Sequence, residues 1–299
     1  MTICQIPDFL TPGRTKVMGI INVTPDSFSD GGAWFNPEKA IAHALELEAA
    51  GADILGIGGE SARPGAESLS PASLSPAQEQ RRVLPVISGY LKASRSPVPI
   101  SLDTVNAETA AAGLAAGVQI INDISGGTLD AGMLKVVAEN DAYYICQHMR
   151  GNPKTMDSLC DYGGDVTGGV CAGLKVRVQA CEKAGVNLQR LILDPGLGFA
   201  KSAEQSWELL GNLEQLKQLG YPLLIGASRK RFLELAVPAC WEDNLPAGVQ
   251  HGAARREDAT TAVSALCAQA GVWAVRVHNV AASASAVAAG QLWREAACR

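Results

Sequence analysis

No run in this chain approaches the ~18 uninterrupted apolar residues that a helix needs to cross a bilayer, and no basic stripe offsets a formal charge of −5 at pH 7. The first absence argues against a membrane protein. The second argues against nucleic acid as a partner, although local positive charge can still meet a small phosphate. The opening MTICQIPDFL lacks the basic start and apolar stretch of a secretory signal, so a cytoplasmic protein is expected. The eight cysteines (Cys4, Cys146, Cys160, Cys171, Cys181, Cys240, Cys267 and Cys298) contain no C-x-x-C spacing. They offer neither a zinc site nor a disulfide framework and read as reduced, mostly buried small apolar residues. Nor does any composition break mark a linker, and no G-x-G-x-x-G turn follows the first apolar run.

What the chain does have is a repeating unit, in a length of 299 residues, 47% of them hydrophobic, that can bury a sizeable core. Val17 to Ile21 is an apolar run that leads into Asn22 and a polar loop holding Thr24, Pro25, Asp26, Ser27, Ser29, Asp30 and two glycines, the pattern of a buried strand delivering a loop. Asn36 and Pro37 then fit an N-cap and first helical position, Ile41, Ala44 and Leu45 give a helical stripe, and Gly51 stops it. Ala52 to Ile57 is a second strand, followed by a long Gly/Pro/Ser loop, a helix from about Pro76 to Tyr90, and a third strand ending at Asp103. Further strands are expected at Val118–Ile121 (ending at Asn122 and Asp123), Ala142–Cys146 (ending near His148) and Arg190–Leu193 (ending at Asp194). The next helix opens on a capping box at Ser202 and Gln205 and carries Leu209, Leu210, Leu213 and Leu216 toward Gly220. Pro222–Ile225 and Val272–Val277 complete the strands.

Eight apolar strands alternating with helices predict a single (β/α)₈ barrel over residues 1–299, with a doubly wound sheet as the alternative. In a barrel the strand ends gather at the C-terminal mouth. That mouth would hold Asn22, Glu60, Arg63, Asp103, Asn122, Asp194, Lys230, Arg276 and His278. Taken singly, each reads as a loop or helix-capping residue; together they fall into two groups. Asp103, Asn122 and Asp194 suit a flat nitrogen heterocycle that presents several donors. Arg276 and His278, with Ser228, Arg229 and Lys230, lie where barrels often bind phosphate, and Asn22 is an uncharged oxygen ligand of the kind Mg²⁺ accepts beside phosphates and waters.

The stretches VMGIINVTPDSFSDGG (Val17–Gly32), GGESARPGA (Gly58–Ala66), ISLDT (Ile100–Thr104), INDI (Ile121–Ile124), LDPGLGF (Leu193–Phe199), SRK (Ser228–Lys230) and VRVHN (Val275–Asn279) together resemble the ordered motif set of the dihydropteroate synthases. The resemblance implies a TIM-barrel transferase of folate biosynthesis, dependent on Mg²⁺, that joins 4-aminobenzoate to 7,8-dihydropterin-6-ylmethyl diphosphate. It assigns Asp103, Asn122, Asp194 and Lys230 to the pterin, Asn22, Arg63, Arg276 and His278 to the diphosphate and its Mg²⁺, and Phe28, Arg63, Pro64, Phe199 and Ser228 to 4-aminobenzoate. Arg63, Asp103 and Lys230 would take the catalytic part. It further implies a homodimer through outer helices and a target of sulfonamides, which mimic 4-aminobenzoate. Ala62 stands where the family commonly has Thr, and Gly56 and Asn279 where Asp is frequent; the stretch from Ser68 to Pro76 is longer than usual. Two rivals reuse the same barrel: a methyltetrahydrofolate–corrinoid methyltransferase, which has no need for Arg63, the SRK turn or Arg276 and His278, and a pterin-binding paralogue without catalysis.

Overall fold

In a computed structural model of the chain, residues 10, 13–24, 36–59, 74–152, 155–237 and 253–297 are described. Eight parallel strands run β1 (Lys16–Asn22), β2 (Ile54–Gly58), β3 (Ile100–Asp103), β4 (Ile120–Asp123), β5 (Tyr143–Gln147), β6 (Leu191–Asp194), β7 (Leu224–Ile225) and β8 (Ala274–Val277). Their order β6-β5-β4-β3-β2-β1-β8-β7 pairs each strand with its sequence neighbour and β1 with β8. Between β6 and β7 the ring is joined by one bridge, Leu193 to Leu223, where Leu193 N–H donates to Pro222 O at 2.9 Å. The barrel expected from the sequence is therefore the architecture found.

Strand alternation sorts the core into two layers. Met18, Ile54, Ile120, Ile145, Ile192, Leu224 and Ala274 point inward and plug the barrel, with Trp273 beneath them. The intervening residues, such as Val17, Leu55, Leu102, Tyr144 and Val275, face outward into the cluster shared with the helices. On that outer side run α1 (Pro37–Ala49), α2 (Pro76–Ala93), α3 (Ala107–Ala115), α4 (Met133–Glu139), α5 (Val166–Lys183), α6 (Ala203–Gly211), α7 (Leu213–Lys217), α8 (Glu257–Ala270) and α9 (Val280–Ala297). Asn36 caps α1 by accepting from Glu38 N and Lys39 N, and capping boxes open α2 at Ser75/Gln78 and α6 at Ser202/Gln205.

The leucine stripe beyond Ser202 is not one helix. It breaks at Asn212, whose backbone leaves the helical region at φ −114°, ψ 31°; its side-chain amide donates to Glu208 O at 2.8 Å, the carbonyl that its own backbone N–H reaches at 3.1 Å. Gly211 just before it adds its own low helix propensity. The five described cysteines behave as expected: Cys146, Cys171, Cys181 and Cys267 are buried and Cys160 is partly so, all as free thiols; Cys4, Cys240 and Cys298 lie outside the described residues.

Candidate active site

Above the apolar plug, each strand places its next inward residue at the mouth. Ile20, Gly56, Asp103, Asn122, Gln147, Asp194, Gly226 and Arg276 make this upper ring, with Asn22 and His278 one step higher. Asp103 is held from two sides. Its Oδ1 accepts from Asn122 Nδ2 at 2.8 Å, and its Oδ2 forms an ion pair with the Arg276 guanidinium from the far side of the barrel. The strand register sets the first contact, since Asp103 and Asn122 are direct neighbours across β3 and β4.

Asp194 ends β6 almost wholly buried, and its Oδ1 accepts from Gly196 N at 2.7 Å. Burial raises its pKa, opposed chiefly by the nearby Lys230 ammonium. Lys230 in turn is drawn down to about 8, because desolvation outweighs the attraction of Asp194. Its ammonium donates to Leu197 O at 2.7 Å and sits 4.8 Å from the centre of the Phe199 ring. Phe199 is buried with Ile124, Met156 and Ala200. One loop, 195–201, thus carries contacts from the carboxylate end of β6 to the aromatic ring.

A second cation, unforeseen in the sequence, braces that loop. Lys201 is buried; its ammonium donates to Phe199 O at 2.8 Å and meets His148 Nδ1 at 3.0 Å. Burial lowers Lys201 to about 7 and His148 to about 2, so the imidazole is neutral and accepts at Nδ1. Ala200, between the two anchored residues, sits at φ +52°, the left-handed turn that brings Lys201 back over Phe199. The signal that could have found this brace is a lysine two residues after the LDPGLGF motif.

On the opposite flank the SRK turn is pinned at both ends. Ser228 Oγ lies 2.9 Å from His278 Nδ1 and accepts from His278 N at 3.1 Å. Arg229 takes φ +59°, held by its N–H on Thr260 Oγ1 and its guanidinium on Glu257. Arg276 and His278 share the inward face of β8 as their spacing predicts, because Val275 and Val277 belong to the outer cluster. Asp123, by contrast, turns outward. Its carboxylate accepts from Ser125 N, Gly127 N and Tyr144 Oη, a brace for the β4 loop and no part of the mouth.

The upper ring leaves several buried polar atoms without a partner: Asn122 Oδ1, Gln147 Nε2 and Arg276 Nε. Such atoms cost stability in a folded protein and mark groups waiting for a ligand. Gly56 has a clear consequence here. A Cβ at that position would come within 3.5 Å of Arg276 Nε and 3.3 Å of Met18 Sδ, so the bare glycine leaves the guanidinium edge open. The carboxylate expected on β2 is absent, and Arg276 takes its carboxylate from Asp103 on β3.

Asn22, partly buried, ends β1 at the rim. Among the described residues no group of three or more His, Cys, Asp or Glu could hold a metal ion; a lone amide oxygen beside an anionic substrate fits Mg²⁺, which keeps most of its shell for waters and phosphate. Phe28, Glu60, Ala62, Arg63, Pro64 and the stretch Ser68–Ser73 lie outside the described residues. A cavity of about 930 Å³ lies at the other end of the strands, under Leu223 and Trp273. Its basic residues are already engaged, Arg14 with Asp53, Lys217 with Glu214 and Arg294 with Gly13 O, so it does not compete with the mouth as the reactive centre.

Comparison with known proteins places this geometry. The family model described as "Pterin binding enzyme" matches residues 18–278. A dihydropteroate synthase of Synechocystis sp. is 42% identical over 282 residues, 94% of this chain and 91% of the relative. The Xanthomonas albilineans dihydropteroate synthase with 4-aminobenzoic acid superposes with a TM-score of 0.81 at 39% identity, covering 97% of this chain and 96% of the other. In complex with 7,8-dihydropteroate, the same enzyme gives a TM-score of 0.78 at 36% identity over 97% and 96%.

Proposed function

This chain belongs to the dihydropteroate synthases of the pterin-binding enzyme family, and we propose that its barrel mouth joins 4-aminobenzoate to the methylene carbon of 7,8-dihydropterin-6-ylmethyl diphosphate, giving 7,8-dihydropteroate and diphosphate. The observation that carries the reading is the meeting, in one mouth, of a carboxylate–amide group (Asp103, Asn122, Asp194) with Lys230, Arg276 and His278.

The pterin presents ring N–H and amino donors to Asp103, Asn122 and Asp194, and its ring carbonyl to Lys230. Arg276 keeps Nη2 on Asp103 and has Nε free for a phosphate oxygen, so one guanidinium links the two halves of the substrate. The bond between the methylene carbon and the bridging oxygen breaks with its electron pair leaving on diphosphate, whose developing charge Arg276, His278 and Arg63 offset. The positive charge left on the methylene spreads into the heterocycle, where the anionic carboxylates stabilise it. The neutral amine of 4-aminobenzoate then forms the new C–N bond and loses its proton to solvent or the departing diphosphate. No strong base is required, and the work of the site is orientation and exclusion of water. Phe199 and Ser228, with Phe28, Arg63 and Pro64, would form the 4-aminobenzoate pocket, which sulfonamides would share. Mg²⁺, held through Asn22, would supply further charge compensation on the diphosphate.

The assembly we favour is a homodimer through outer helices, supported by large side chains left exposed on α8 and α9: Leu266, Leu292 and Trp293 at 61%, 66% and 73%. A cytoplasmic setting accords with the free thiols, and no described helix is long and apolar enough to cross a membrane. The test is release of diphosphate when both substrates and Mg²⁺ are supplied, and its loss when excess chelator is added. No diphosphate with Mg²⁺ present would overturn the reaction; undiminished turnover in chelator would overturn the metal's part alone.

A further inference from the structure

Lys201 is a buried cation that the reaction above does not use. It is only 7% exposed, and among the described residues its ammonium pairs with no carboxylate: its partners are the Phe199 carbonyl at 2.8 Å and His148 Nδ1 at 3.0 Å. Burying an ammonium on two neutral groups is unfavourable, and a linear apolar side chain would avoid that cost. The cost falls in a loop whose backbone is itself held in an uncommon shape. Gly196, Gly198 and Ala200 take φ +69°, +74° and +52°, and at Ala200 a Cβ makes that conformation unfavourable. Phe199 lies between the last two. Its N–H donates to Gly196 O at 3.0 Å, and Gly198 N donates to Ser206 Oγ at 3.2 Å, while its carbonyl is held by Lys201.

The anchor at the other end of the brace is firm. His148 N–H donates to Asp194 O at 2.9 Å, and the ring lies so close to α5 that a Cβ at Gly173 would come within 2.6 Å of its Nε2 edge. Lys201 therefore ties the backbone of Phe199 to the end of β5. On the opposite side the Phe199 ring faces Lys230 at 4.8 Å and rests on Ile124 and Met156.

We propose that Lys201 is a positioning residue for the second substrate: through the Phe199 carbonyl it fixes the ring that walls the 4-aminobenzoate pocket, without touching either substrate itself. This rests on the placing of Phe199 in that pocket. Without the bond, the backbone around Ala200 can relax out of its left-handed turn and carry the ring with it. The partners of the pterin are placed independently. Asp103, Asn122 and Asp194 end strands, and Lys230 meets the loop earlier, at Leu197 O, before the turn at Gly198. Lys201 thus bears on one substrate and not on the other.

The experiment is steady-state kinetics on the full-length wild type, Lys201→Met, Lys201→Leu, Phe199→Leu and the double variant Lys201→Met/Phe199→Leu. Both Lys201 variants are expected to raise the KM for 4-aminobenzoate about tenfold, with kcat and the KM for the pterin diphosphate within about threefold of wild type. In the Phe199→Leu background Lys201→Met should add little, because the ring through which it acts is gone. An unchanged 4-aminobenzoate constant in both Lys201 variants overturns the proposal. So does a full tenfold effect retained in the Phe199→Leu background, or a lowered melting temperature with equal losses for both substrates, which would mark a purely structural role. If Phe199→Leu alone leaves the 4-aminobenzoate constant unchanged, the placing of Phe199 falls instead, and with it the reading on which Lys201 depends.

Discussion

The two rings of inward residues, one residue pair apart along the same strands, follow opposite rules. The lower ring, Ser101 on β3 apart, is apolar and fully buried: Met18, Ile54, Ile120, Ile145, Ile192 and Leu224 are each at 0% exposure. The upper ring is equally enclosed at Asn122, Gln147 and Asp194, at 4%, 5% and 4%, yet polar and incompletely bonded. Equal burial with opposite chemistry separates the residues that hold the barrel from those that serve its ligand.

The sharpest break in that contrast is in the lower ring. Ile145→Ala should cost about 2–5 kcal/mol of stability through lost burial and a cavity, read as a shift in the urea midpoint, while pterin affinity of the folded protein changes little. If affinity falls as far as stability, the two rings are not separable.

The next largest effect is in the upper ring. Asp194→Asn removes a carboxylate that is costly to bury and should leave the urea midpoint unchanged or higher, while pterin affinity drops by about thirtyfold, the scale of a charged hydrogen bond. Calorimetry showing affinity within a factor of about two of wild type would contradict the assignment of Asp194 to the heterocycle.

The smallest effect is the response to pH, which should move the two properties in opposite directions. Lys201 and Lys230 have folded values of about 7 and about 8 against an ordinary lysine value of 10.5. Between the folded and unfolded values the unfolded chain binds more protons, so the contribution of these groups to stability rises as pH climbs from about 7 toward 10.5 and is lost below it. Lys230 loses its charge as pH passes about 8, so pterin affinity should fall over the same range, by several-fold up to about tenfold per unit. Paired melts and titrations across that interval would show parallel trends if Lys230 did not face the pterin.

The barrel was legible because its signals are local. Apolar runs such as Val17–Ile21 and the caps at Asn36 and Ser202 act within a few positions of the chain, and these were found where the sequence set them. The exception at Asn212 is local too: its backbone leaves the helical region and its side-chain amide turns back onto the Glu208 carbonyl, at a position where a leucine stripe reads as continuous helix.

The sequence by itself determined the eight strands and the membership of the mouth: Asp103, Asn122, Asp194, Lys230, Arg276 and His278 all converge there. Pairings across the barrel were decided only by tertiary structure, because they join residues distant in the chain. Arg276 reaches Asp103 across 173 positions, Ser228 meets His278 across 50, and Lys201 meets His148 across 53. Gln147 falls between the two cases. Its alternation with Ile145 was visible in the letters, but an amide without a partner is recognised only once every neighbouring strand is in place, since absence of a hydrogen bond is a property of the closed barrel and not of β5.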